Sequence, residues 1–217
     1  MPLKKFFLNF WLFLFFIGLF LVGCHDADGS RTQKVFCKYV IDGDTIVLSD
    51  GRKVRYLEIN APEIPHKDKE GEPLGKIAKR FNEALVKGKV IKILPSRTKP
   101  YDRFGRVLAH VFLLNGKLVS EILVRKGLAH VCFFERPDKY AQRLLSAQRS
   151  AIIYKRGIWG VKFTTLEPYY IGNKRSFRFH RPSCALGKNT AKKNRVIFYK
   201  REDAFMRGFC RCKKCLP

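Results

Sequence analysis

The chain has 217 residues, of which 44 are Lys or Arg and 18 are Asp or Glu, and its formal net charge at pH 7 is +26. A hydrophobic content of 46% argues against a disordered chain, and the length suits one medium domain with a small accessory unit. The charge favours polyanionic partners, namely nucleic acid, anionic lipid or acidic polysaccharide, without choosing among them.

The N-terminus has the pattern of an export signal. Two lysines precede a nearly unbroken apolar run over residues 6–23, which ends in Leu-Val-Gly directly before Cys24. This ending resembles a bacterial lipobox, so we expect a lipoprotein signal peptide at residues 1–23 and a diacylglycerol group on the Cys24 thiol. An uncleaved transmembrane anchor is the alternative. Both interpretations predict an exported protein held at the membrane of the cell envelope, with residues 24–34 as a polar tether.

Short alternating runs separated by turn signals begin at residue 35 and predict a mainly β domain. Strands are predicted at residues 35–41, 45–48, 53–59, 89–94, 107–114 and 128–134. Helical spacing predicts helices at residues 74–86, 118–126 and 138–155. Short strands with interspersed helices fit a small closed barrel of the oligonucleotide-binding (OB) type. The predicted fold class is therefore α+β, mainly β, with a five-stranded OB-type barrel and three helices over residues 35–165.

Four segments of this region are motifs that occur in this order in one protein family. They are residues 40–45 (VIDGDT), 55–63 (RYLEINAPE), 101–109 (YDRFGRVLA) and 124–129 (VRKGLA). Each segment alone is weak evidence, because Asp-Gly-Asp is a common turn sequence. Together, in this order and spacing, they resemble the staphylococcal nuclease (thermonuclease) family. The resemblance covers about Val35 to Trp159 and implies a Ca²⁺-dependent enzyme that hydrolyses phosphodiester bonds of DNA, with RNA left open as a second substrate.

Cleavage of a phosphodiester requires an attacking water and compensation of the negative charge that builds on the phosphate oxygens. Asp42 and Asp44 form a pair of carboxylates at a strand end, which suits a hard cation with oxygen ligands. The resemblance implies that Asp44 binds Ca²⁺ directly, together with the side chain of Asn60 and the carbonyl of Ala61. Asp42 would support the site without touching the ion.

Three further residues match catalytic positions of the family. Glu63 matches the carboxylate that positions or deprotonates the attacking water. Arg55 and Arg106 match the arginines that clamp the scissile phosphate, where the planar guanidinium offers bidentate contact. Each residue alone also has an ordinary interpretation as a cap or a surface charge. Their joint occurrence in a basic protein favours catalysis.

The substrate-binding part of the site departs from the family in places. The family most often has Asp where this chain has Asn60, and the lost charge predicts weaker calcium affinity. Arg103, Phe104 and Phe133 occupy basic and aromatic positions suited to hold phosphate and stack a base. Glu135 stands where the best-known members have a tyrosine, so their substrate preference does not carry over.

A second unit, a small α/β module, is predicted at residues 169–217. From residue 170 onward it contains 14 Lys or Arg and two acidic residues, a net charge of 14 − 2 = +12. One histidine and three cysteines have the spacing of a closed tetrahedral zinc site. These residues are His180, Cys184, Cys212 and Cys215. Because so short a segment buries little surface, Zn²⁺ would supply much of its stability.

Four segments of this unit resemble the N-terminal zinc domain of the Ada DNA-repair protein. They are residues 179–184 (FHRPSC), 196–199 (VIFY), 202–209 (EDAFMRGF) and 212–215 (CKKC). In that protein the first ligand is a cysteine that accepts a methyl group, and His180 stands at this position here. An imidazole cannot replace that thiolate, so the resemblance implies a structural zinc and a DNA-binding surface without methyl repair.

The remaining cysteines leave alternatives open. An exported location permits disulfides in place of zinc, and unpaired thiols are the third possibility. Cys210 is close enough to the proposed ligands to compete with them. Cys37 and Cys132 lie on different predicted strands and form either a pair or two buried thiols.

Two other functions are compatible with parts of the sequence. In the first, the barrel binds nucleic acid without catalysis, and Asn60 is the only residue that favours this function. In the second, the chain captures DNA at the envelope through two basic domains. Neither function requires Glu63 or the two arginines. The module is expected to add affinity for long duplexes without taking part in cleavage, and no obligate protein partner is implied.

Overall fold

The structure, a computed structural model, describes residues 32–66, 70–134, 136–161 and 166–217. The predicted signal peptide, Cys24 and Glu135 lie outside these ranges. Within them, no helix is both long enough and apolar enough to cross a membrane.

The barrel predicted from the sequence is present. The strands of this part of the chain are β1 (Gln33–Val40), β2 (Thr45–Leu48), β3 (Lys53–Tyr56), β4 (Ile59–Asn60), β5 (Val90–Pro95), β6 (Val107–Phe112) and β7 (His130–Val131). Five of them close a barrel in the order β1-β2-β3-β6-β5. Its interior is filled by alternating apolar residues such as Ile91 and Ile93 of β5, both fully buried. Strand β1 begins at Gln33, so residues 33 and 34 belong to the barrel and not to the predicted tether.

The described residues between β4 and the C-terminal sheet form three α-helices, as predicted. They are α1 (Gly75–Val86), α2 (Val119–Arg125) and α3 (Ala141–Ile153), and a short 3-10 turn (Gly157–Gly160) follows α3. Helices α2 and α3 pack against each other, and their buried residues, among them Leu123 and Leu144, join the barrel core.

Two predicted strands are shorter in the structure. The strand expected over residues 53–59 is interrupted by a turn at Leu57 and Glu58, where Glu58 has a left-handed φ of 60°. The strand expected over residues 128–134 is reduced to β7. The separated ends pair with each other as a two-stranded ribbon, with Asn60 opposite His130. This ribbon therefore holds Asn60 at the edge of the barrel.

The C-terminal residues form a small sheet with short helices. Its strands are β8 (Tyr170–Asn173), β9 (Arg178–His180), β10 (Arg195–Phe198) and β11 (Cys210–Arg211), and its helices are α4 (Ala185–Lys188) and α5 (Arg201–Met206). The strand order is β10-β8-β9-β11. Its core is aromatic, with Phe179 and Phe205 stacked edge to face at 5.1 Å between ring centroids. We call residues 166–217 the C-terminal module.

The C-terminal module packs against the barrel domain. Phe205 lies edge to face against His130 at 5.2 Å and against Trp159 at 5.0 Å. The buried side chain of Gln148 accepts a hydrogen bond from the N–H of Val131 and donates one to the carbonyl of Phe205. Because Gln148 satisfies polar groups of both units, it fixes the module next to β7.

A disulfide between Cys132 and Cys210 joins the two units. Cys132 directly follows β7, and Cys210 begins β11. This pairing corrects two expectations: Cys132 is not paired with Cys37, and Cys210 is not free to compete for zinc. Cys37 is a buried thiol in the barrel core, and burial raises its pKa to about 11.

Candidate active site and metal centres

Asp44 is the centre of the candidate active site. It is buried between β1 and β2, and its Oδ2 accepts hydrogen bonds from the N–H of Ala61 at 2.6 Å and from Nη2 of Arg55 at 3.0 Å. Its Oδ1 accepts from the hydroxyl of Thr45 at 3.1 Å. Asp42 lies behind it and accepts the N–H of Asp44 at 2.9 Å. Burial raises the pKa of Asp44 to about 7, although the charge of Arg55 acts in the opposite direction.

Close packing fixes the loop between the two aspartates. A Cβ atom at Gly43 would lie 2.5 Å from the Cβ of Ala61 and 2.9 Å from that of Ala78 in α1. Only glycine fits such an approach. The contact holds Asp44 against the segment that contains Asn60 and Ala61.

The proposed calcium ligands are brought together. Oδ1 of Asn60 accepts a hydrogen bond from Nη2 of Arg55 at 3.1 Å, and its Nδ2 donates to the carbonyl of Ala61 at 3.2 Å. Asp44, Asn60 and Ala61 thus offer a carboxylate, an amide oxygen and a backbone carbonyl, which is the donor set of a hard cation such as Ca²⁺. A cation bound beside Asp44 would also favour the charged form of this buried carboxylate. The residues fit calcium, with one negative charge fewer than an aspartate at position 60 would give.

Both predicted catalytic arginines are held in place. Arg55 extends from β3 and, besides its contacts with Asp44 and Asn60, donates to the carbonyl of Tyr56 at 2.9 Å. Nε and Nη2 of Arg106 both donate to Oδ2 of Asp102 at 2.7 Å. The hydroxyl of Thr45 accepts from Nη1 of Arg106 at 3.5 Å and donates to Asp44. A continuous hydrogen-bonded network therefore connects the two arginines.

Glu63 is exposed and follows the segment that is bound to Asp44. Its N–H donates to Oε2 of Glu72 at 3.2 Å, and its carbonyl accepts the N–H of Glu72 at 2.8 Å. Arg211 of the C-terminal module forms an ion pair with the other carboxylate oxygen of Glu72. The backbone of Glu63 is thus held by a residue nine positions further along the chain.

The predicted substrate-binding residues separate into two groups. Phe104 is 67% exposed, and the guanidinium of Arg103 lies over its ring at 4.8 Å, so both are available to a nucleotide. Phe133 is 2% exposed and packs against Phe177 of the C-terminal module. Its ring is enclosed in the interface between the two units, so the expected role in base stacking does not fit. The neighbouring Phe134 is exposed, and the guanidinium of Arg178 lies over one face of its ring, 4.8 Å from the ring centroid.

The four predicted zinc ligands lie close together. The ligand atoms of His180, Cys184, Cys212 and Cys215 are all within 4.8 Å of one another. Backbone N–H groups point at two of the sulfurs, from Arg181 to Cys215 and from Lys214 to Cys212, each at 3.4 Å. Such N–H groups stabilise thiolates. One imidazole and three thiolates at this spacing fit a closed zinc site.

Two residues of this cluster have shifted pKa values. Burial lowers the pKa of His180, which keeps its imidazole neutral as a metal ligand must be. Burial and the sulfurs of Cys184 and Cys212 raise the pKa of Cys215 to about 12. Three thiolates this close together would repel one another, and a divalent cation bound among them would offset that repulsion.

Three residues that support the site have no role predicted from the sequence. They are Asp102, Glu72 and Arg211. Asp102 lies in the motif that contains Arg106, four residues before it, so the spacing of an acid and an arginine was a usable signal. The contact between Glu72 and Arg211 joins residues 139 positions apart, and no local pattern indicates it.

Comparison with known proteins identifies relatives of the barrel domain. Residues 53–161 match the family described as staphylococcal nuclease homologue. The chain is 32% identical to a thermonuclease of Staphylococcus intermedius over 132 residues, which are 59% of this chain and 77% of the relative. It is 32% identical to endonuclease YncB of Bacillus subtilis over 139 residues, or 62% of this chain and 65% of the relative. A prophage-derived endonuclease of B. subtilis, YokF, is 34% identical over 123 residues, 55% of this chain and 41% of the relative. The chain thus spans less than two thirds of either Bacillus endonuclease.

Proposed function

Because the chain belongs to the staphylococcal nuclease family and is thereby a phosphodiester hydrolase, we propose that it is a Ca²⁺-dependent nuclease of the cell envelope that cleaves DNA, with RNA as a second candidate substrate. The observation that carries the proposal is the network in which Asp44 contacts Arg55 and Ala61 and reaches Arg106 through Thr45. It supports the proposal because two guanidinium groups share one hydrogen-bonded network with oxygen atoms of the kind that bind a hard cation.

The roles of the residues follow from their chemistry. Arg55 and Arg106 present guanidinium groups whose orientation is already fixed, so they can stabilise charge on the scissile phosphate at little cost of reorganisation. Glu63, on the exposed loop after Ala61, positions the attacking water or accepts its proton. Calcium bound by Asp44, Asn60 and the Ala61 carbonyl would add positive charge at the phosphate.

The calcium dependence is tested by assaying the purified protein on DNA with Ca²⁺ and with excess EGTA. We expect degradation with Ca²⁺ and its loss in EGTA, since the donors are all oxygen atoms. Glu63→Gln serves as the control for a contaminating nuclease and is expected to be nearly inactive in both conditions. Full activity of the parent in EGTA would refute the calcium mechanism, and a DNA-binding protein inactive in both conditions would be the non-catalytic alternative.

We further propose that the four-ligand cluster of the C-terminal module binds one structural Zn²⁺. The support is the mutual proximity of the one imidazole and three thiols. Metal analysis of the purified chain should give about one zinc per molecule, and Cys212→Ser should lower it. Cys37→Ser, which changes a cysteine in the barrel core, should retain the zinc. A parent chain purified without zinc, with Cys184 in a disulfide, would replace the metal site by a cross-link.

The location at the membrane is a separate proposal that rests on the apolar run before Cys24. Cys24→Ala should prevent lipid attachment and processing at that position. Labelling with a fatty-acid precursor should mark the parent and leave the variant unmarked. An unmarked parent of unprocessed length would favour the transmembrane anchor.

A further inference from the structure

The loop that contains Glu63 is closed by Glu72. The two residues exchange backbone and side-chain hydrogen bonds: the N–H of Glu72 donates to the carbonyl of Glu63, and the N–H of Glu63 donates to the carboxylate of Glu72. Gly75, at the start of α1, packs on the same point, since a Cβ there would lie 2.3 Å from the carbonyl oxygen of Glu63. The position of the Glu63 backbone therefore depends on the position of Glu72.

The carboxylate of Glu72 is in turn bound by the C-terminal module. Oε2 accepts the N–H of Glu63, while Oε1 pairs with Nη2 of Arg211. The two side chains are 29% and 27% exposed, so solvent screens this pair less than a fully exposed one. A chain of contacts thus runs from Arg211 through Glu72 to Glu63.

Arg211 is itself anchored on both sides. Cys210 before it is cross-linked to Cys132 of the barrel domain, and Cys212 after it belongs to the candidate zinc site. The N–H of Cys212 donates to the carbonyl of Phe179 in the core of the module. Since both neighbours are fixed, the guanidinium of Arg211 is presented to Glu72 from a rigid support.

The C-terminal module also contacts the ribbon that carries Asn60. Phe205 packs on His130, which pairs with Asn60 across the β4–β7 ribbon. Burial, and after it the charge of Arg211, lowers the pKa of His130 to about 3, which keeps this imidazole neutral beside the arginines. The module therefore contacts both segments that carry candidate functional residues, the ribbon with Asn60 and the loop with Glu63.

We propose that Arg211 is a positioning residue for phosphodiester hydrolysis, which acts through Glu72 to hold the loop that carries Glu63. The inference rests on the proposed function. It differs from the expectation that the C-terminal module only adds affinity for DNA, because it predicts that the module contributes to turnover on every substrate, short or long.

The test compares Arg211→Ala with Arg175→Ala in the full chain, on a short single-stranded oligonucleotide at saturating Ca²⁺. Arg175 lies at an exposed turn of the same module, so its variant loses the same charge away from the loop. We expect Arg211→Ala to lower kcat about tenfold, the scale of a small misplacement of a catalytic group. KM should stay within about twofold, and Arg175→Ala should leave kcat unchanged. Arg211→Lys should recover part of kcat.

Glu72→Gln tests the same contact independently. It alters the loop side of the contact without touching the module, so it remains informative if Arg211→Ala folds poorly by circular dichroism. We expect it to lower kcat to a similar extent, and the double variant to show no further loss, since both changes break one contact.

Equal kcat for Arg211→Ala and Arg175→Ala would overturn the inference. So would a change confined to KM and its salt dependence, which would make Arg211 a phosphate contact, or fully additive losses in the double variant. These outcomes require an active parent. A parent with no Ca²⁺-stimulated cleavage would instead overturn the proposed function itself.

Discussion

Asp102 determines the orientation of Arg106. Its Oδ2 accepts both Nε and Nη2 of the arginine, and its Oδ1 accepts the N–H groups of Phe104 and Arg106. The carboxylate is thus fixed by the backbone of the turn that it closes, and the guanidinium is fixed by the carboxylate. The arginine can then meet a phosphate without losing further side-chain entropy.

We predict that Asp102→Asn lowers kcat about tenfold through misplacement of Arg106, and that Arg106→Ala costs about a hundredfold, since it removes the donor itself. Steady-state assays on a short oligonucleotide measure both. Asp50→Asn is the matched control, because Asp50 forms a comparable pair with Arg52 on an exposed hairpin. If Asp102→Asn behaved like this control, Arg106 would not depend on its carboxylate.

Asn60 sets the charge at the calcium position. We predict that Asn60→Asp lowers the Ca²⁺ concentration for half-maximal activity by roughly tenfold, because it adds a negative charge among the oxygen donors. Titration of activity with Ca²⁺ measures this. Asn115→Asp, on the exposed turn before α2, adds the same charge away from the site and should leave the midpoint unchanged. An unchanged midpoint in Asn60→Asp would show that this side chain does not contact the ion.

At the scale of elements, Glu121 connects helices α2 and α3. Its carboxylate accepts from Arg125 of its own helix at 2.7 Å and from Arg143 of α3. Burial would raise the pKa of Glu121, but the two arginines outweigh burial and hold that pKa below its usual value. A carboxyl whose pKa is lowered on folding stabilises the native state above its unfolded pKa, and this contribution is lost as the pH falls through the folded pKa.

Glu121→Gln should therefore lower the free energy of unfolding by about 1 kcal/mol at pH 7, and the difference should shrink as the pH falls below about 4.5, the ordinary pKa of a glutamate. Urea unfolding at several pH values measures it. Glu83→Gln is the control, since Glu83 faces Lys87 at 3.9 Å on an exposed side of α1 and should change stability little. A difference for Glu121→Gln that persisted unchanged in acid would show that the ion pairs are not its cause.

The elements with a regular hydrophobic period could be predicted from the sequence. Strand β2 has its predicted bounds, and α1 and α2 each lie within one residue of theirs at either end. The prediction of one strand over residues 53–59 was wrong because apolar and polar residues alternate from Leu57 through Glu58 to Ile59, as in a strand, while the chain turns there to reach β7. Nothing local requires a left-handed Glu58. Tertiary pairing with His130 decides it.

At the scale of the whole molecule, the sequence indicated candidate residues of the site but not the contacts that support them. Asp44, Asn60 and the two arginines lie in or next to short strands of the barrel domain, inside segments that match the family motifs. The supports come from distant positions: Arg211 reaches Glu72, and Cys210 reaches Cys132. Such contacts depend on how the C-terminal module docks, and docking has no short-range signal in sequence. The burial of Phe133, predicted as a stacking residue, has the same origin.

The disulfide between Cys132 and Cys210 should be the main covalent determinant of how the two units stay together. It closes a loop of 78 residues, for which the loss of chain entropy in the unfolded state corresponds to about 4.5 kcal/mol. We predict that Cys132→Ala with Cys210→Ala lowers the free energy of unfolding by a few kcal/mol, about 2–4, in urea with zinc held constant. Reductant should destabilise the parent and leave the double variant unaffected, which separates the disulfide from the zinc thiolates. Because Arg211 follows Cys210, the double variant should also lose kcat on short oligonucleotides. A destabilised variant with parental kcat would show that noncovalent packing around Phe205 is sufficient to hold Arg211 against Glu72.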